Sequence, residues 1–87
     1  MEILARIEIF REGDLYVALV SELNVSSFGE TIEEAKESIK EALEAFLEEC
    51  ERMGTLEDVL EESGFSKLHG SWEARKPVIE TDLALAV

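Results

Sequence analysis

The sequence is poor in the residues that build chemical sites. Cys50 is its only cysteine and His69 its only histidine. A single cysteine excludes an internal disulfide and is typical of a reducing compartment. One cysteine and one histidine do not make a zinc cluster. No glycine-rich phosphate loop follows a strand pattern. We therefore expect no catalytic residues, no metal and no cofactor.

Long hydrophobic runs are also missing. No apolar stretch approaches the roughly 20 residues that cross a bilayer. The N-terminus has no basic segment followed by an apolar one, as a signal peptide would. We expect a cytoplasmic protein that does not bind membranes. The 87 residues, 46 % of them hydrophobic, predict a single domain over residues 1–87 with a small core.

Positive charge is scarce: 8 Lys and Arg accompany 21 Asp and Glu, and the formal net charge is −13. Between Glu30 and Glu62 there are 13 acidic and 3 basic residues, a net charge of −10. Such a surface repels nucleic acid, because nucleic-acid binding needs Lys and Arg. It attracts a basic protein and speeds the encounter with it. Solubility alone is the other explanation of the same charge.

Alternation of apolar and polar residues predicts strands in the first third of the chain. Residues 2–10 have Ile3 and Ile7 on one face of such a strand. Residues 11–14 form a turn, and Leu15–Val20 is a second strand that is apolar on both faces. Residues 25–28 predict a short third strand, after which Gly29 allows the chain to turn.

A long amphipathic helix is predicted to follow and to end at Met53, with Gly54 as its C-cap. Thr31 and Glu34 have the spacing of a capping box. Apolar residues recur with a period near 3.6, which predicts one buried face and one charged face. This apolar stripe contains Ile32, Ala35, Ile39, Ala42, Leu43, Phe46, Leu47 and Cys50.

A second, short helix is predicted from Thr55 to Gly64, followed by an ordered loop over residues 66–76. Pro77 then precedes a last strand over residues 78–87. The order β-β-β-α-α-β predicts an α+β fold, a mainly antiparallel sheet with helices on one face. The last strand is long and apolar, so we expect it to pair with a second copy and to give a dimer or tetramer.

Two kinds of residue are candidates for binding a partner. The charged helix face is either a solvated surface or one half of an interface with a basic protein, and Lys40 and Arg52 are expected to pair with Glu44 and Glu48 on it. Trp72 is either a core residue or an interface anchor. The candidate partner-binding residues are Glu37, Glu41, Glu44, Glu48 and Trp72.

Residues with catalytic chemistry are less convincing candidates. Cys50 lies on the apolar stripe, which favours a small buried residue over a nucleophile. His69 has no partner at a known catalytic spacing. Glu8 and Asp82 are the only acidic residues near the middle of predicted strands where a metal-dependent nuclease could use them.

One segment resembles the HicB antitoxin family, whose pattern Y-x-A, P-E-L and G-x-T-x-x-E-A precedes an amphipathic helix. The resemblance covers roughly residues 3–50. It implies a partial RNase H-like fold that is usually oligomeric. It also implies a partner, the small basic RNase toxin HicA, whose active site the antitoxin covers. The matching residues are Tyr16, Ala18, Glu22, Leu23, Gly29, Thr31, Glu34 and Ala35.

The chain departs from this family in two ways. Ser21 stands where proline usually precedes the Glu-Leu pair. We also expect no C-terminal DNA-binding domain, and hence no direct DNA or RNA binding, as in the stand-alone members of the family. The predicted function is a non-enzymatic HicB-like antitoxin module. The alternatives are an oligomeric module that binds another protein or a small ligand, and a metal-dependent hydrolase.

Overall fold

Two three-stranded sheets and two α-helices make up the computed structural model, which describes residues 2–87. The fold belongs to the predicted α+β class. In chain order the elements are β1 (Glu2–Leu4), β2 (Glu8–Glu12), β3 (Leu15–Val20), β4 (Val25–Gly29), α1 (Ile32–Met53), α2 (Leu56–Glu62), β5 (Phe65–Leu68) and β6 (Ser71–Ala74).

The first sheet is an antiparallel meander in the order β2-β3-β4. A tight turn at Gly13, which has a positive φ of 62°, joins β2 to β3. Ala18 and Val20 of β3 are buried on the face that α1 covers, whereas Leu15 lies exposed on the other face. The prediction of a strand at residues 15–20 and of a short strand after it is confirmed.

The predicted strand over residues 2–10 is wrong at its centre. Residues 5–7 are not in a strand, and they separate β1 from β2. The two halves have different neighbours, because β2 pairs with β3 while β1 pairs in parallel with β6. A second sheet in the order β1-β6-β5 results, so the single sheet expected from the sequence is also wrong. Alternation along a chain does not show where a strand changes partner.

Helix α1 has the predicted bounds and caps. The backbone N–H of Glu34 donates to Oγ1 of Thr31 over 3.0 Å. Among the described residues the reverse bond of the capping box, from Thr31 to the Glu34 carboxylate, is not formed. Gly54 is the C-cap, with a positive φ of 74°. The apolar stripe of α1 lies against β3 and β4, and it buries Ala35, Ile39, Leu43 and Cys50 in the core.

Gly29 is needed for close packing at the end of β4. A Cβ atom on it would lie 2.6 Å from the backbone nitrogen of Ala35 and 2.7 Å from the carbonyl carbon of Glu34. Real Cβ atoms do not approach backbone atoms so closely. The strand therefore ends directly against the first turn of α1, and this contact fixes how the helix leaves the sheet.

The C-terminal third departs most from the prediction. Residues predicted to form a loop are the hairpin of β5 and β6, whose turn contains His69 and Gly70, both with positive φ. Residues 78–87, predicted to be a strand, form neither a helix nor a strand, and they are exposed, as is Pro77. We call residues 77–87 the arm. An alternating pattern makes a strand only where a neighbouring strand accepts its hydrogen bonds.

The contact at Gly29 gives a prediction about stability. Gly29→Ala is expected to lower the free energy of unfolding by about 2–3 kcal/mol, because the added methyl group meets helix backbone that cannot move aside. Ser26→Ala, an exposed position on the same strand, is the matched control and should change it by less than about 0.5 kcal/mol. Urea denaturation at a fixed protein concentration measures both. Equal stabilities of the two variants would contradict the close packing.

Candidate protein-binding surface

Four glutamates form a line along the solvent side of α1. They are spaced by four, three and four residues, which places them within one narrow sector of a helix of 3.6 residues per turn. All four are exposed. We call this set the acidic ridge: Glu37, Glu41, Glu44 and Glu48.

The carboxylates of the acidic ridge have no cationic partner within the part of the chain that the structure describes. The predicted pairs of Lys40 with Glu44 and of Arg52 with Glu48 are not formed. Arg52 pairs instead with Glu49, one turn back, and its Nε donates to Oε2 of Glu49 over 3.1 Å. This hydrogen bond raises the pKa of Arg52 above its usual value. No ion pair with a described residue therefore offsets the negative charge of the ridge.

A shallow apolar groove lies beside the ridge, between α1 and the chain that connects the two sheets. Its volume is about 450 Å³. Among the described residues that line it, Lys40 and Glu44 are the charged ones, one helical turn apart, and Glu44 belongs to both the ridge and the groove. The apolar lining consists of Ile3, Ala5, Ile7, Leu43 and Leu47.

The groove was not anticipated as a binding surface. Ile3, Ala5 and Ile7 on its strand side share one face of the alternating pattern, and such a face is typical of core residues. They border a groove because β1 ends at Leu4 and the chain then crosses from one sheet to the other. Ile7, in that crossing, remains 40 % exposed. The sequence pattern does not reveal the break between β1 and β2, and the groove depends on that break.

Trp72 lies in the core and not on the surface. It is in β6, opposite Ile3 of β1 and Lys67 of β5, and only 3 % of its surface is exposed. The structure therefore favours the core alternative for this residue, and it separates Trp72 from the exposed glutamates of the ridge.

The other candidates do not come together. Cys50 is buried on the apolar stripe, as expected of a structural cysteine. His69 lies in the turn between β5 and β6. Glu8 accepts a hydrogen bond from Oγ of Ser21 over 2.9 Å. Asp82 lies in the arm, so its expected position in a strand is wrong.

Residues 2–87 contain neither a metal-binding cluster nor a membrane-spanning helix. No group of three or more His, Cys, Asp or Glu side chains is arranged to hold a metal ion. None of the helices in this range is both long enough and apolar enough to span a membrane.

Comparison of this chain with protein-family models, with curated proteins and with solved structures gave no match. The resemblance to the HicB family therefore depends on the motif residues themselves and stays a prediction.

The position of Trp72 can be tested by fluorescence, because it is the only tryptophan. Acrylamide should quench its emission much less in the folded protein than in urea, since the core excludes the quencher. The urea-unfolded chain is the internal control. Equal quenching in the folded and unfolded protein would contradict the burial and would restore Trp72 as a surface anchor.

Proposed function

We propose that this protein is a non-enzymatic HicB-like antitoxin module that binds and neutralises a small basic RNase of the HicA type. The observation that carries the proposal is the unpaired acidic ridge beside an apolar groove on the same helix. A basic protein with an apolar side chain among its cations would complement both features.

The motif residues support the relationship to HicB through packing. Gly29 is in contact with Glu34 and Ala35, and Thr31 caps the helix that they begin. Tyr16 is the strand neighbour of Gly29 in the register of β3 and β4. The second half of the motif, with Tyr16 beside it, thus describes one structural unit, the corner where β4 meets α1. It supports a shared fold but carries no information about the partner.

The topology is compatible with a partial RNase H-like fold, which we propose as the finer description. A three-stranded antiparallel meander comes before the long helix. The strand β6 comes after it and runs parallel to β1, at the start of the chain. A β-β-β-α-β module of that type has the same order of elements, although here the first strand is divided into β1 and β2, and α2 and β5 are additional.

The ridge and the groove contribute to the proposed inhibition in different ways. The ridge raises the rate of encounter with a cationic protein, and its effect weakens as salt screens the charges. The groove receives an apolar side chain and slows dissociation, because most of the affinity within an interface comes from a few buried anchors. The bound toxin cannot then place RNA against its own basic surface.

Charge reversal on the ridge tests the proposal. The triple variant Glu41→Lys, Glu44→Lys, Glu48→Lys is expected to raise the Kd for a purified HicA-type toxin by about tenfold or more, because attraction becomes repulsion. Isothermal titration calorimetry at two salt concentrations measures the Kd. An RNA cleavage assay measures the loss of inhibition in parallel.

A second triple variant serves as the matched control: Glu12→Lys, Glu57→Lys, Glu62→Lys. It changes the net charge from −13 to −7, as the ridge variant does, but at exposed positions away from the ridge. Its Kd should stay within about threefold of the unmodified protein. If both triple variants raise the Kd equally, the ridge acts only through the net charge of the protein and is not a specific binding surface. Absence of toxin binding by the unmodified protein would favour the alternative, a module with another protein or small-ligand partner.

A further inference from the structure

The arm is apolar along one side, and all of its residues are exposed. Its residues alternate, with Ile79, Leu83, Leu85 and Val87 on one side of an extended chain. Leu83 is 80 % exposed and Leu85 is 78 % exposed. An exposed apolar segment of this length is unfavourable in water unless something covers it.

The base of the arm is nevertheless held in place. The N–H of Arg75 donates to the carbonyl oxygen of Gly64 over 3.3 Å, and Nη2 of Arg6 donates to the carbonyl oxygen of Arg75 over 2.7 Å. These bonds hold Arg75, two residues before the arm begins, to Gly64, which precedes β5, and to Arg6, which follows β1. The arm therefore leaves the fold from a defined point.

The strand β4 offers the arm a complementary edge. It pairs only with β3 among the described residues, so its other edge has free backbone donors and acceptors. Its sequence, Val25–Gly29, contains no charged residue and no proline, the usual protections of an edge strand. The opposite edge of the same sheet, β2, carries Glu8, Arg11 and Glu12.

The last five residues of the arm match β4 in length and in chemistry. Residues 83–87 are uncharged, as β4 is. On β4, Ser26 and Phe28 lie on the face away from α1, and Phe28 is 64 % exposed. Beside that edge, Leu83 and Leu85 would extend the apolar face of Phe28. Ala84, on the other side of the alternation, is small enough to lie next to α1.

The distribution of charge also favours contact between residues 83–87 of one copy and the β4 edge of another. Two chains of net charge −13 repel each other, and most strongly where helix faces meet. The side chains of β4 and of residues 83–87 carry no charge, so this contact brings no Asp or Glu side chain of one copy against another. The edge of β4 also lies in a different sheet from the base of the arm.

We propose that residues 83–87 of one copy add as a strand to the free edge of β4 in a second copy. Exchange of the two arms in both directions gives a closed dimer with two identical contacts. The proposal is independent of the toxin-binding function, since neither the arm nor β4 belongs to the ridge or the groove. It leaves the ridge of each copy open to a partner.

Sedimentation velocity on the full-length protein tests the arm. The unmodified protein should be a dimer at micromolar concentration. Leu85→Glu should raise the dimer Kd by about tenfold or more, because the carboxylate would enter an apolar contact. Val78→Glu, also in the arm but outside residues 83–87, is the control and should change the Kd by less than about twofold. A strict monomer, or equal effects of the two variants, would overturn the proposal.

A second pair of variants tests the receiving edge. Phe28→Glu on β4 should dissociate the dimer, whereas Phe10→Glu on β2 should not. The reverse pattern would assign the arm to the other edge and would contradict the proposal. Far-UV circular dichroism shows that each variant is folded, and loss of the dimer counts only for a folded variant.

Mixing two defective variants gives the most specific measurement. Leu85→Glu has an intact β4 edge, and Phe28→Glu has an intact arm. A mixed dimer therefore has one good contact out of two and should form more tightly than a dimer of either variant with itself. Native mass spectrometry distinguishes the three species. Absence of the mixed dimer, with both chains folded, would contradict exchange of the arms.

Discussion

The contact between Gly29 and the first turn of α1 is the constraint on which the rest of the structure depends. It brings the end of β4 against the backbone of Glu34 and Ala35, closer than any side chain would allow. The helix then begins at a fixed place, with Thr31 as its cap. From this start the apolar stripe is aligned over Ala18 and Val20 of β3, and the core forms between them. Close packing at this corner explains the segment from Gly29 to Ala35.

The same alignment decides where the negative charge is presented. A helix of 22 residues that buries one face must expose the opposite one. Here that face carries glutamates that form no ion pair with any residue in the described range 2–87, while Arg52, near the end of the helix, pairs with Glu49. Uncompensated charge of this kind contributes little to stability, because exposed carboxylates are well solvated. Its physical consequence is attraction over distance, and the groove beside Glu44 supplies the apolar contact that charge alone lacks.

The two binding surfaces proposed here are separate in space and different in chemistry. The ridge and groove combine charge with an apolar pocket and suit a basic protein. The side chains of β4 and of residues 83–87 are uncharged and suit each other. The proposed self-association through uncharged side chains would keep the acidic faces of two copies apart, and it would leave two ridges available per dimer. Under these two proposals, a small acidic domain both self-associates and attracts a cationic partner electrostatically.

The sequence by itself determined the local structure of the central part of the chain. Thr31, the apolar stripe and Gly54 specify the bounds of α1, because caps and periodicity act over a few residues. Leu15–Val20 was identified for the same reason. Three features could not be predicted, because strand pairing joins residues far apart in the chain. They are the break at residues 5–7, the hairpin of β5 and β6, and the lack of a helix or strand in the arm. The acidic face was visible in the sequence, whereas the groove beside it was not. Only the tertiary structure brought Ile3 and Ile7 next to Leu43 and Leu47, because that groove exists where the chain passes from one sheet to the other.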